Sequence, residues 1–123
     1  MLFRSADLLV APSRSETYGM TVTEALAHGL PVLAADVGGL PEALGCAADG
    51  TRPGQLVRPG DPAALAAALA DWLGDEHHRH RLRVAARQRR STLRGWEHTT
   101  QEIARALTAL PAPPTRMKEK SAR

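Results

Sequence analysis

The sequence predicts an α/β fold with about three parallel strands and flanking helices. Two observations predict it. Short apolar runs, each closed by a proline, glycine or aspartate, alternate with helical patterns along the chain, and that alternation builds a parallel, doubly wound sheet. The runs also lack the apolar–polar alternation of a half-solvated strand, as strands covered on both faces do. With 123 residues the chain can enclose one core.

Each element follows from its residues. Residues 1–6 lead straight into the first apolar run and leave no room for an earlier element. Residues 7–12, closed by Pro12, form a strand buried on both faces. Residues 13–19 are small and polar and form a loop. From Met20 to His28, the positions of Val22, Ala25 and Leu26 predict a short helix stopped at Gly29. Residues 32–35 are a second buried strand and residues 36–39 a second loop. Residues 40–44 make a short helix with Pro41 near its start, where a missing N–H does no harm.

Residues 54–57 form a weaker third strand. Asp61 then caps, and Pro62 opens, an alanine-rich helix to Leu73. Gly74 and Asp75 break it before a basic helix over 76–91. Gly95 precedes an amphipathic helix over 96–110, with Trp96 as its packing anchor. Pro111, Pro113, Pro114 and the charged end predict a disordered basic tail over 111–123, so residues 1–110 form the folded domain.

Composition excludes several classes. Aromatic residues are only 3%, so the core is built from Leu, Val and Ala and relies on close packing. The net charge of +3 arises mainly from basic residues over 79–94 and 116–123. Without interleaved aromatics these read as a solvated helix face and a tail, not a nucleic-acid site. Cys46 is the sole cysteine, so no intramolecular disulfide forms and no oxidising compartment is implied. No apolar run approaches the ~18 residues of a membrane span. The expected location is cytoplasmic, with peripheral membrane attachment left open. His77, His78 and His80 share the basic helix with no Cys or carboxylate in register, so no metal is expected there.

The segment with the clearest chemistry runs from Ser13 to Val32. A strand ends, a loop containing Gly19 follows, and a helix begins near Met20. In open α/β sheets ligands bind at the carboxyl ends of strands, beside such helix starts. The first N–H groups of a helix lack internal partners and stand at its positive end. Tyr18, Gly19, Met20, Thr21 and Val22 thus present a site for a phosphate or diphosphate, and Gly19 lets the backbone approach closely. Glu24 can accept hydrogen bonds from a vicinal diol such as a ribose, although an exposed helix carboxylate would look the same. Glu16 can reach a sugar hydroxyl, or can be an ordinary loop acid. Tyr18 is open to packing or ligand contact. His28 reads as a helix-end residue.

Glu16 and Glu24, with seven residues between them, resemble the paired-glutamate motif of the family 4 retaining glycosyltransferases, the group 1 type with a GT-B fold. The flanking residues resemble it as well: 6–13 before the motif, 24–34 after it, then Gly38-Gly39-Leu40-Pro41-Glu42, Gly54-Gln55-Leu56-Val57, Asp61-Pro62 and the helix pair around Trp96-Glu97. The resemblance spans residues 3–108. It implies a partial Rossmann-like domain, the C-terminal portion of the nucleotide-sugar-binding domain. It also implies that Glu24 binds the donor ribose and that Glu16 faces the transferred sugar, the one catalytic assignment. The backbone from Gly19 to Val22 would hold the diphosphate and sugar. The donor is then a substrate, a nucleoside-diphosphate sugar, with no cofactor or metal.

By the same resemblance, the first half of that domain and the whole acceptor domain are missing, together with the Arg/Lys pair that neutralises the diphosphate. The strand at 8–10 becomes an exposed edge, open to a missing N-terminal half or to self-association. Little transferase activity is expected of this chain alone. Three other readings stay open: a non-catalytic nucleotide- or partner-binding module, a truncated product without activity, and a GT-B epimerase. Donor base, sugar and acceptor are undetermined.

Overall fold

A computed structural model describes residues 2–111. The chain divides into two compact units, Met1–Leu93 and Arg94–Arg123. The predicted disordered tail lies outside the described residues, apart from Pro111.

The first unit is a Rossmann-like α/β arrangement. Strands β1 (Leu9–Ala11), β2 (Val32–Ala35) and β3 (Gly54–Val57) form one sheet in the order β1-β2-β3. Both pairings are parallel, with Val10 opposite Leu33 and Ala34 opposite Leu56. Helices α1 (Met20–Ala27), α2 (Leu40–Leu44), α3 (Pro62–Gly74) and α4 (Glu76–Thr92) complete the unit.

All four residues of β2 are buried, as predicted for a strand covered on both faces. Successive side chains point to opposite sides of a strand. Val32 and Ala34 therefore join Val22, Leu26, Leu40, Leu44 and Ala86 in one cluster, while Leu33 joins Val57 and Ala68 in another. One face of β2 is covered by α1, α2 and α4, the other by α3. Leu26 and Val22 are fully buried, each worth about 1.5–3 kcal/mol of apolar burial.

β1 departs from the strand buried on both faces that its apolar run suggested, and stands at the sheet edge that the family resemblance implied. It is half-buried, and Val10 is 37% exposed. The strand stands at the sheet edge and pairs only with β2 among the described residues. A 3-10 turn, Leu2–Ser5, precedes it where no element was expected. The turn is anchored because Phe3 packs on the first cluster and stacks on His28, with ring centroids 5.4 Å apart.

The helix ends follow local chemistry. Asp61 Oδ1 accepts from the Ala64 N–H at 2.9 Å, capping α3. Asp75 does more than break the chain: its Oδ1 accepts from the His78 N–H at 3.0 Å and caps α4. The backbone N–H of His78, with a smaller contribution from that of His77, holds the Asp75 carboxyl below its ordinary value. His28 closes α1 as a helix-end residue, its Nδ1 lying 2.9 Å from the Glu24 carbonyl oxygen.

The basic face of α4 is less solvated than its charge suggests. Arg79 donates to the Trp72 and Leu73 carbonyls at 2.9 and 2.7 Å, binding the last carbonyls of α3. Arg83 pairs with Asp7 at 2.9 Å and lies over the Trp72 ring at 5.6 Å. Arg89 Nε donates to the Leu44 carbonyl at the end of α2 at 3.2 Å. These arginines are structural ties as well as surface charge.

The second unit holds α5 (Trp96–Ala109), which has no buried residue. Trp96 is 79% exposed, so it does not act as the packing anchor expected.

Candidate functional site

The seven residues singled out in the sequence lie on the single segment that leaves the carboxyl end of β1 and enters α1. Gly19 is the N-cap of α1 and has a left-handed backbone, φ 83° and ψ 43°. A Cβ at this position would sit 3.0 Å from Leu40 Cδ2 and 3.1 Å from Ala43 Cβ. Gly19 is thus required by the turn into the helix and by contact with α2. These are reasons beyond the ligand approach inferred from sequence.

The first bond of the helix runs from the Thr23 N–H to the Gly19 carbonyl at 3.1 Å. The N–H groups of Met20, Thr21 and Val22 precede it and have no partner among the described residues. The tip is open: Met20 is 66% and Tyr18 62% exposed. Tyr18 therefore does not pack inward. Val22 is different: the whole residue is buried, backbone included, so its unpartnered N–H lies beneath the exposed Met20 and Thr21. Thr21 is exposed.

Glu16 is half-buried in the loop, and its Oε1 accepts from the Thr17 N–H at 3.0 Å. Glu24 is exposed on the second turn of α1, and its carboxylate has no partner among the described residues. Both acids and the free amides belong to the one stretch of chain that enters α1. This arrangement can bind an anion at the amides and accept hydrogen bonds from neutral hydroxyls on either side.

The loop carrying Glu16 is held by a neighbour that sequence reasoning did not assign to the site. The Gly39 N–H, at the start of α2, donates to the Glu16 carbonyl at 3.2 Å. A Cβ at Gly38 would lie 1.8 Å from the Glu16 carbonyl oxygen, and one at Gly39 would lie 2.5 Å from that of Thr17. The available signal was the glycine pair after a buried strand.

A cavity of about 180 Å³ lies at the carboxyl ends of the strands, lined by Pro12, Arg14, Ala35, Arg58 and Asp61 among others. It takes in the start of the same loop but neither glutamate. Among the described residues no group of three His, Cys, Asp or Glu side chains is placed to hold a metal ion. No described helix is long and apolar enough to cross a membrane.

In a parallel α/β sheet, a helix start at the carboxyl end of a strand is where ligands bind. The sequence goes further: residues 1–89 match the glycosyl transferases group 1 family, and the chain belongs to that family. It is 45% identical over 107 residues to a D-inositol 3-phosphate glycosyltransferase of Streptomyces avermitilis, covering 87% of this chain and 22% of that protein. A protein of the same name from Nocardia farcinica is 40% identical over 108 residues, covering 88% and 23%. The chain thus spans less than a quarter of the length of these relatives.

Solved structures agree on the fold. Anabaena HepE in complex with UDP superposes with a TM-score of 0.75 at 27% identity, over 89% of this chain and 29% of that one. Sucrose-phosphate synthase of Thermosynechococcus elongatus gives 0.68 at 34% identity, over 88% and 27%.

Proposed function

We propose that residues 1–110 are the C-terminal portion of the nucleotide-sugar-binding domain of a family 4, retaining glycosyltransferase of hexosyltransferase type. The observation that carries the reading is the start of α1, whose first three amides are unpartnered among the described residues, in a chain of this family. The amides of Met20, Thr21 and Val22 bind the donor diphosphate, helped by the positive end of the helix. Glu24 accepts hydrogen bonds from the ribose hydroxyls. Glu16 accepts from hydroxyls of the transferred sugar, and Tyr18 and Gly19 shape the approach.

In a retaining transfer on one face, the bond from the anomeric carbon to the diphosphate breaks first. The acceptor hydroxyl then attacks the same face and passes its proton to the departing phosphate oxygen. The donors aimed at that oxygen stabilise the charge that grows on it. No metal or cofactor takes part. Acceptor and activity belong to a larger assembly, in which the open edge of β1 meets a missing N-terminal half or a second copy. The proposed location is the cytoplasm, including its membrane periphery.

A UDP-sugar is the first donor to test, since the HepE structure contains UDP. Calorimetric titration with UDP-, GDP- and ADP-glucose tests the reading. Removing charge-assisted hydrogen bonds from the ribose in Glu24→Ala should weaken the preferred donor roughly 10- to 100-fold. Unchanged affinity in that variant removes Glu24 from the site. A non-catalytic binding module is the second reading. It predicts the same binding with no sugar transfer even when the missing half is supplied.

A further inference from the structure

We infer that Gly39, with Gly38, is a positioning residue for Glu16: the turn between β2 and α2 clamps the loop that carries the acid and sets where its carboxylate stands. The inference rests on the proposed donor role of Glu16 and names what fixes that residue in place.

Glu16 lies in a loop between a short edge strand and a helix. Such a loop has no ladder of its own, and its backbone would sample many conformations. The clamp supplies a tether and a wall. The tether is the hydrogen bond from the Gly39 N–H to the Glu16 carbonyl, 3.2 Å. It belongs to neither the sheet ladder nor a helix, so it holds the loop alone. The wall is steric. A Cβ on Gly39 would lie 2.5 Å from the Thr17 carbonyl oxygen and 2.8 Å from Tyr18 Cα. A Cβ on Gly38 would lie 1.8 Å from the Glu16 carbonyl oxygen. Three consecutive loop residues therefore rest against two residues without side chains. The contacted atoms are backbone, which cannot rotate aside as a side chain can.

The loop also feeds Gly19, which packs on Leu40 and Ala43 of α2. Leu40 and Ala43 of α2 thus set the helix start, while the glycine turn before them sets the acid. The Thr17 N–H reaches back to Glu16 Oε1 at 3.0 Å, so fixing the Thr17 backbone also fixes the carboxylate. Making room for a methyl whose nearest backbone neighbours stand at 2.5 and 2.8 Å would shift Glu16 relative to the amides of α1.

Gly39→Ala is an informative perturbation because φ at Gly39 is −81° with ψ −1°, a conformation any residue adopts. The substitution therefore acts through contact, without backbone strain. Gly74→Ala is its control, since nothing lies within 4 Å of a Cβ there. Two readouts need no ligand. Hydrogen exchange should find the Gly39 amide protected in the unaltered chain, and tryptic cleavage after Arg14 should be about tenfold faster in Gly39→Ala than in Gly74→Ala. A third uses calorimetry. Gly39→Ala should weaken UDP-glucose about tenfold while UDP, which lacks the sugar that Glu16 contacts, stays within about twofold.

If Gly39→Ala does not fold, exchange in the unaltered chain decides: an unprotected Gly39 amide overturns the clamp. Unchanged cleavage after Arg14 in a folded variant also overturns it. Equal loss of UDP and UDP-glucose would make the turn a general support of the fold and refute the positioning of Glu16. If the unaltered chain binds neither ligand, the donor reading fails while the exchange and cleavage results still judge the clamp.

Discussion

Replacing Gly19 with alanine should damage the fold through two separable effects. The first is conformational. Gly19 has φ 83°, and a left-handed backbone disfavours an L side chain by about 1–2 kcal/mol. Alanine also stiffens the unfolded chain, which returns about 0.4–1 kcal/mol, so this part nets to roughly 1 kcal/mol. The second effect is packing. The new methyl would lie 3.0 Å from Leu40 Cδ2 and 3.1 Å from Ala43 Cβ, both on buried residues of α2. Overpacking of this kind costs about 1–3 kcal/mol.

Gly50→Ala separates the two. Gly50 has φ 84° but nothing within 4 Å of its Cβ, so only the conformational part applies. Gly50→Ala should cost roughly 1 kcal/mol and Gly19→Ala about 2–4 kcal/mol. For a unit spanning Met1–Leu93, the difference should appear as a melting temperature at least ~4 °C lower in Gly19→Ala than in Gly50→Ala. Thermal and urea unfolding followed by circular dichroism would measure it. Equal destabilisation by the two substitutions would refute the claim that Gly19 seats the start of α1 against α2.

Further expectations concern the ties around α4. Arg89→Met keeps the length of the side chain and removes the donor that reaches the Leu44 carbonyl; it should cost about 1–2 kcal/mol, read by urea unfolding, and no loss would demote the contact to surface decoration. The Asp75 carboxyl is held low by the backbone N–H of His78. Its ionised form therefore stabilises the fold above the ordinary value of 3.8, and that stabilisation is lost as pH falls through 3.8 toward the lowered value. Against Asp75→Asn, the melting temperature of the unaltered chain should be higher near about pH 6, and the gap should close on acidification; a gap that widens in acid would contradict the cap.

Much of the fold was legible because local chemistry dictated it. The run Val32–Ala35 carries no polar residue, and it lies between two helix layers. Asp61-Pro62 marks the start of α3 to the residue. Leu8–Val10 looks as apolar as β2, so the run alone read as buried on both faces, and only the family resemblance pointed to an edge; burial depends on neighbours that the run itself does not specify. The roles of Arg79, Arg83 and Arg89 were hidden for a related reason. Arg89 meets Leu44 and Arg83 meets Asp7, partners far away in sequence, so the helix read as a uniform charged face. Trp96 suggested packing by residue type alone, yet it is exposed.

The candidate site was legible as a segment: Gly19 before Met20 announces a helix start with open amides. The hold of Gly38 and Gly39 on the Glu16 loop was not, because a glycine pair in a loop signals close approach without naming what approaches.

The central claim is that the amides opening α1 grip a diphosphate. Amide-resolved NMR of the 123-residue chain titrated with UDP tests it most directly. The account predicts that the largest shifts fall on Gly19, Met20, Thr21 and Val22. Saturable shifts centred elsewhere, with those four amides unmoved, would contradict it.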